Sequence, residues 1–102
     1  MRTEAVQRHS RFKFRRHVDG LLYVFDEVAA DSGQISYKRS DADLWVIRHE
    51  RLGWVVWAGE TATVLGRPWE GLPSEQPESH PPEGEWVSKK GSKSYVYSLI
   101  YP

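Results

Sequence analysis

Residues 44–58 read Leu44-Trp45-Val46-Ile47-Arg48-His49-Glu50-Arg51-Leu52-Gly53-Trp54-Val55-Val56-Trp57-Ala58. Two runs of β-branched and aromatic residues flank a short polar turn, which is the pattern of an antiparallel hairpin. Pairing His49 with Trp54 sets Ile47 against Val56 and Trp45 against Ala58 on one face. The other face then holds Val46 against Trp57 and Arg48 against Val55. In this register Trp45 and Trp54 share the core side and Trp57 points away from it. Both faces are largely apolar, and such a sheet has to be covered twice: by a sandwich, by a barrel with a second layer, by a dimer or around a ligand groove.

Working outward from this hairpin, the same strand-sized runs recur with almost no 3.6-residue periodicity. Upstream, 11–18 and 21–27 flank Asp19-Gly20, a dipeptide suited to a two-residue type I′ turn that would set Val18 against Leu21 and Phe14 against Phe25. A turn at Asp31-Ser32-Gly33 leads into 35–39. Downstream, 61–65 forms a further strand, and 85–88 with 93–101 form a hairpin around Lys89-Lys90-Gly91-Ser92. In that last strand Tyr95, Tyr97, Leu99 and Tyr101 share one face. The expectation is an all-β fold, a small antiparallel barrel or compact sandwich of seven to eight strands.

At 102 residues with a hydrophobic fraction of 39%, the chain suits one domain spanning 1–102. Segment 1–10 reads as a flexible N-terminal stretch. Segment 66–84 reads as a long Pro/Glu-rich loop, since Pro68, Pro73, Pro77, Pro81 and Pro82 lack the N–H that a sheet ladder needs. Trp69 and Leu72 are its large apolar side chains and are expected to anchor it, leaving 74–82 solvated as a flap.

Composition removes several function classes. Fourteen Lys plus Arg balance fourteen Asp plus Glu, so no global field draws the chain to nucleic acid or to an anionic membrane, and any such attraction has to be local. No membrane partner is expected on that ground. The absence of Cys excludes disulfides, thiolate nucleophiles and Cys-based zinc sites, and suits a reducing compartment. The N-terminal residues have no apolar stretch behind their charges, so a soluble cytoplasmic protein is expected.

The charge is nevertheless uneven. Arg2, Arg8, Arg11, Lys13, Arg15 and Arg16 face Glu4 alone near the N-terminus, whereas 60–85 is acidic. In 11–15, cations alternate with Phe12 and Phe14. Arg11, Lys13, Arg15 and the adjacent Arg16 are therefore candidate phosphate contacts for single-stranded nucleic acid. The same letters describe a charged edge strand guarded against aggregation, because alternation sends the phenylalanines to the opposite face.

Five tryptophans stand out in so short a chain. Trp45 and Trp54 read as core partners. Trp57 on the opposite face and Trp69 at the loop entrance, with the Tyr37 and Tyr97 hydroxyls, are candidates for contact with a ligand or partner. His9, His17, His49 and His80 lack ligand spacing, so no metal site is expected. No G-x-S-x-G elbow or phosphate-cradling glycine loop is present, and neither an enzymatic activity nor a cofactor is expected.

The runs Gly20-Leu21-Leu22-Tyr23, Ile35-Ser36-Tyr37-Lys38-Arg39, Leu44-Trp45-Val46-Ile47, Gly53-Trp54-Val55-Val56 and Pro82-Glu83-Gly84-Glu85-Trp86 resemble the Gly/Tyr/Trp rhythm of small β-modules repeated in extracellular multidomain proteins. The resemblance spans 20–86 and implies a binding or adhesion-like module with no assigned activity and no catalytic residue. The functional expectation is a non-enzymatic β-module that binds a protein partner, or itself as a homodimer, through an apolar aromatic sheet face. The alternatives are a small ligand or carbohydrate in an aromatic groove, and nucleic acid on the basic strand.

Overall fold

The first strand, β1 (Arg11–Arg16), buries every second side chain. Phe12 and Phe14 are inside while Arg11, Lys13 and Arg15 project into solvent, as period-two alternation on a half-buried strand requires. The computed structural model describes residues 10–29, 35–69, 72–77 and 80–102. Most of the N-terminal segment and the turn at Asp31-Ser32-Gly33 lie outside the described residues.

From β1 the chain runs as an antiparallel meander. β2 (Leu22–Ala29), β3 (Ile35–Arg39), β4 (Leu44–His49), β5 (Gly53–Ala58), β6 (Thr63–Pro68), β7 (Gly84–Lys90) and β8 (Lys93–Ile100) each pair with the strand before. β8 then returns to pair with β1, from Lys13 opposite Ile100 to Arg16 opposite Tyr97. The sheet is thus a closed eight-stranded barrel, one of the two all-β architectures expected. β1 has a neighbour on each side and is not an edge strand, so its cations are not edge guards.

Two turns differ from their expected geometry, with different consequences. At Asp19-Gly20 the loop spans 17–20: the Arg16 N–H donates to the Leu21 carbonyl, and the Gly20 N–H donates to the Arg16 carbonyl. Only Gly20 takes positive φ, at 74°, and the Asp19 carboxylate ties down Arg16 and accepts from the Leu21 N–H. Phe14 therefore faces Tyr23 and Phe12 faces Phe25. This slip of two residues changes partners and keeps faces.

At the central hairpin the slip is one residue, and it exchanges the faces. Gly53, with φ 77°, pairs with His49, so Arg48 faces Trp54, Val46 faces Val56 and Trp45 faces Trp57. The His49 ring holds the tighter turn, its Nδ1 accepting from the N–H groups of Arg51 and Leu52 at 3.1 and 3.2 Å. Trp45 consequently leaves the core and joins Trp57 on the outer wall. Trp54 alone of the expected pair is buried.

The interior is filled by side chains, as a barrel of this strand number allows. Phe12 stacks on Phe25 at 5.0 Å and meets Tyr37 edge-on at 4.9 Å, while Phe14 meets Trp86 at 5.3 Å. Each such pair contributes about 0.5–1.5 kcal/mol beyond the area it buries. Leu99, Val46 and Val56 complete the central layer. β6 approaches β7 so closely at Gly66 that a Cβ there would lie 2.3 Å from the Val87 carbonyl oxygen.

A register shift between Val56 and Trp57 marks where β6 bends away from β5. The segment between β6 and β7 takes its place. Gln76 Oε1 accepts from the Trp54 backbone N–H at 2.8 Å, and a 3₁₀ turn at Pro73–Glu75 contacts β5. Three inward side chains then donate to three proline carbonyls: Trp54 to Pro77 at 2.7 Å, Trp86 to Pro82 at 3.0 Å, and the Tyr101 hydroxyl to Pro81. Pro81 is fully buried. This segment plugs one end of the barrel. Its expected anchors, Trp69 and Leu72, are instead 63% and 62% exposed. Prolines cannot donate to a ladder, yet their carbonyls accept freely; Ser74 and Glu75 are exposed as expected of a flap, whereas Gln76, Pro77 and 80–82 are partly or fully covered, and 78–79 lie outside the described residues.

Candidate functional site at the open end of the barrel

Among the described residues, the plug closes one end of the barrel and leaves the other, where β1, β3 and β7 finish, open. The inward series of β1 runs Phe12, Phe14, Arg16, and that of β3 runs Tyr37, Arg39. In both strands the next inward position after the aromatic core is thus an arginine at the rim. Between them, on β2, stands Tyr23. The Arg39 guanidinium lies 4.5 Å from the centre of the Tyr23 ring and that of Arg16 lies 5.6 Å from it, with Arg16 also 5.2 Å from the Tyr95 ring. Two like charges converge on one aromatic ring.

Each guanidinium is held by one carboxylate from the adjoining turn. Arg16 grips Asp19 through Nε at 3.0 Å and Nη2 at 2.7 Å, and Arg39 Nε reaches Asp41 at 2.5 Å. These hydrogen bonds hold both carboxyls below their usual range. Burial raises the Tyr97 phenol above its usual value, with Arg16 as its hydrogen-bonding neighbour, so at neutral pH it is an uncharged hydroxyl.

Around these groups lies a cavity of about 310 Å³, bounded by Tyr23, Leu44, Leu65, Ser88, Tyr97 and the Lys89-Lys90-Gly91 tip as well as both arginines. Beneath it a void of about 30 Å³ continues toward Phe14, Phe25 and Val56. The arrangement combines an aromatic floor, hydroxyls on Ser88 and Tyr97, and four cations at the rim. Chemically it offers fork-shaped donors to a carboxylate or phosphate and a ring face to whatever carries it.

The four aromatic candidates read from the sequence do not assemble. Tyr37 is 1% exposed and packs against Phe12 and Trp54, so it belongs to the core and offers no ligand contact. Trp57 lies on the outer wall opposite Trp45, whose indole donates to Asp43 at 2.8 Å. Both rings are partly covered. Trp69 stands at the plugged end over a cleft of about 280 Å³ with Glu83 and Glu85. Only Tyr97 reaches the open end.

The basic candidates divide in the same way. Arg11, Lys13 and Arg15 project from the outer wall, and Arg11 pairs with Asp26 at 2.6 Å. Their cross-strand neighbours on that face are Leu22, Val24, Ser98 and Ile100, which supply no ring for a base to stack on. Arg16 has the opposite parity and turns into the mouth. Arg39, Tyr23, Tyr95 and Ser88 were not among the candidates; the inward parity of Arg16 and Arg39, each with an Asp two or three residues on, was the signal that pointed to them.

The described histidines have structural partners: His17 Nε2 is 2.7 Å from Ser98 Oγ, His49 holds its turn, and His80 meets Tyr101 edge-on at 5.8 Å, while His9 lies outside the described residues. Among the described residues, no group of three or more His, Cys, Asp or Glu could hold a metal ion. Comparison with protein-family models, with curated proteins and with solved structures finds no significant match.

Proposed function

We propose that this protein is a binding module whose site is the open end of the barrel and whose ligand is a small anion, a carboxylate or phosphate carried on a flat or compact group. The observation that supports the reading is the convergence of Arg16 and Arg39 on Tyr23 at the rim of the 310 Å³ cavity. That volume is at the lower end of small-ligand sites, about 300–1,000 Å³. The two arginines are pre-positioned by Asp19 and Asp41, which are themselves exposed to water. The aspartates face water while the arginine side chains are only 12% and 22% exposed, so a ligand anion would compete with each aspartate from the solvent side.

Titration of the ¹⁵N-labelled protein with inorganic pyrophosphate tests this. The expected result is a set of amide shifts at Tyr23, Arg39, Ser88 and Tyr97, with a Kd of about 1 mM or tighter. Arg16→Ala and Arg39→Ala should each weaken it about tenfold, the equivalent of roughly 1.4 kcal/mol. Shifts elsewhere, or affinity unchanged in both variants, would refute the reading.

A second reading is supported by Trp69, an exposed indole beside the carboxylates of Glu83 and Glu85. An aromatic platform with flanking acceptors suits a neutral polyol or sugar. Quenching of Trp69 emission by an oligosaccharide, lost in Trp69→Phe, is its test. The outer-wall reading, a partner or second copy on Trp45 and Trp57, has less support because both rings are already partly covered.

A further inference from the structure

We infer that the open end of the barrel docks on an anionic membrane surface, with a lipid headgroup in the mouth and the β1–β2 loop in the interfacial layer. The inference rests on the anion-binding reading of the mouth and goes beyond it.

The large apolar side chains that this end exposes are gathered in one place. Val18 is 72% exposed, Leu21 49% and Leu22 52%, all in or beside the loop spanning 17–20. Aliphatic side chains on a protruding turn gain nothing from water, and at a lipid interface they are buried. Beside them stands the β7–β8 hairpin, whose tip carries Lys89, Lys90 and Lys93, all exposed. The two turns are neighbours because β8 pairs with β1; the His17 N–H donates to the Val96 carbonyl. Val96 is itself 36% exposed.

The rim is electrically one-sided. Its β1–β2 and β7–β8 half presents Arg16 and the three lysines, with Asp19 as the one acid, already engaged by Arg16. The β3–β4 and β5–β6 turns, on the opposite half, carry Asp41, Asp43 and Glu60 against Arg39, which engages Asp41, and Lys38, whose ammonium donates to the Ala42 carbonyl. A surface of negative charge therefore attracts the first half more strongly than the second, which favours a tilt that brings Val18, Leu21 and Leu22 down first. Lysine stems cover apolar surface while their ammonium groups stay at headgroup level. The expectation of no membrane partner rested on zero net charge; this field is local.

A membrane fits better than an acidic protein or a nucleic acid. The apolar tip is convex, and a fluid interface accepts a convex tip that a rigid partner would need a matching hollow to receive. Its exposed side chains are aliphatic, so bases would find no stacking platform there.

The test is co-sedimentation of the whole chain with phosphatidylcholine vesicles with and without phosphatidylserine. Binding is expected to the anionic vesicles only and to fall with added salt. The double variants Leu21→Ser/Leu22→Ser and Lys89→Glu/Lys90→Glu should each reduce it at least tenfold. Arg51→Glu, a charge change at the plugged end, should leave it unchanged. No vesicle binding, with pyrophosphate still shifting the mouth amides, overturns the docking and leaves the site reading intact. Silence toward both ligands overturns both. Vesicle binding that survives Leu21→Ser/Leu22→Ser, or preferential binding of a single-stranded oligonucleotide, also overturns the docking.

Discussion

The indole N–H of Trp54 donates to the carbonyl oxygen of Pro77 at 2.7 Å, so the start of β5 is tied to a segment that has no strand of its own. Trp86 does the same with Pro82 at 3.0 Å. Replacing either ring by phenylalanine keeps an aromatic in the core but strands a buried carbonyl and leaves a void. Trp54→Phe and Trp86→Phe should each lower stability by about 2–4 kcal/mol in urea denaturation. Trp69→Ala, on an exposed ring, should stay within about 0.5 kcal/mol. Equal losses at all three positions would mean that the proline carbonyls are not what holds the plug.

Glycine is needed at Gly66 and at Gly20 for different reasons. A Cβ at Gly66 meets the backbone of β7, which cannot swing aside, while one at Gly20 meets nothing within 4 Å and suffers only from φ of +74°. Gly66→Ala should cost about 3 kcal/mol or more, and Gly20→Ala about 1–2 kcal/mol. Thermal unfolding ranks the two directly, and the reverse order would contradict the close approach of β6 to β7.

Acid should free the mouth. Asp19 and Asp41 have carboxyls held below their usual range by Arg16 and Arg39. A depressed folded value means that the stability these pairs add is present above the ordinary Asp range, about 3.9, and is lost as pH falls below it. The same protonation releases both guanidinium groups. Sulfate, which keeps its charge in this range, should bind more tightly as pH falls below about 4. Asp19→Asn and Asp41→Asn should reproduce the gain at neutral pH. If neither variant binds sulfate better than the parent, the two aspartates are not competitors for the site.

Alkali should loosen the opposite end. Burial, with Tyr37 and Glu83 nearby, raises the Tyr101 phenol well above its usual value, and its hydroxyl donates to Pro81. A raised folded value places the stabilisation below the ordinary Tyr value of about 10 and removes it as pH climbs beyond that. Stability should decline above about pH 10, and Tyr101→Phe should flatten that decline while lowering stability at pH 7. Guanidinium titrations at the two pH values, parent against variant, measure it.

The eight strands could be located from their letters because β-branched and aromatic runs are local signals. Registers depend on turns, and turns here depend on side chains. His49 caps its own loop through Nδ1, which no propensity for Glu50-Arg51-Leu52 conveys, and the resulting one-residue shift exchanged Trp45 for Val46 in the core. The Asp19 turn also lengthened, but an even slip left Phe12 and Phe14 inside. Prolines in 68–82 were legible as residues without N–H groups, whereas their use as acceptors needed Trp54, Trp86 and Tyr101 to be brought to them. The mouth was hidden because Arg16, Tyr23 and Arg39 meet only once β1, β2 and β3 pair, and Tyr97 joins them only when β8 closes on β1.

That closure has a kinetic side. Each hairpin of the meander can form from neighbouring residues, but the β1–β8 ladder joins Arg16 to Tyr97 across nearly the whole chain, and such distant pairing is entropically slow. A nascent chain holding β1 to β7 has two open ladders and nowhere to place Phe14 against Leu99 until β8 has left the ribosome. Completed folding is then expected on the order of milliseconds to seconds. Until it is complete, the outer strands present bare N–H and C=O groups to any other chain nearby, so the final strand acts as this protein's own guard against aggregation during synthesis.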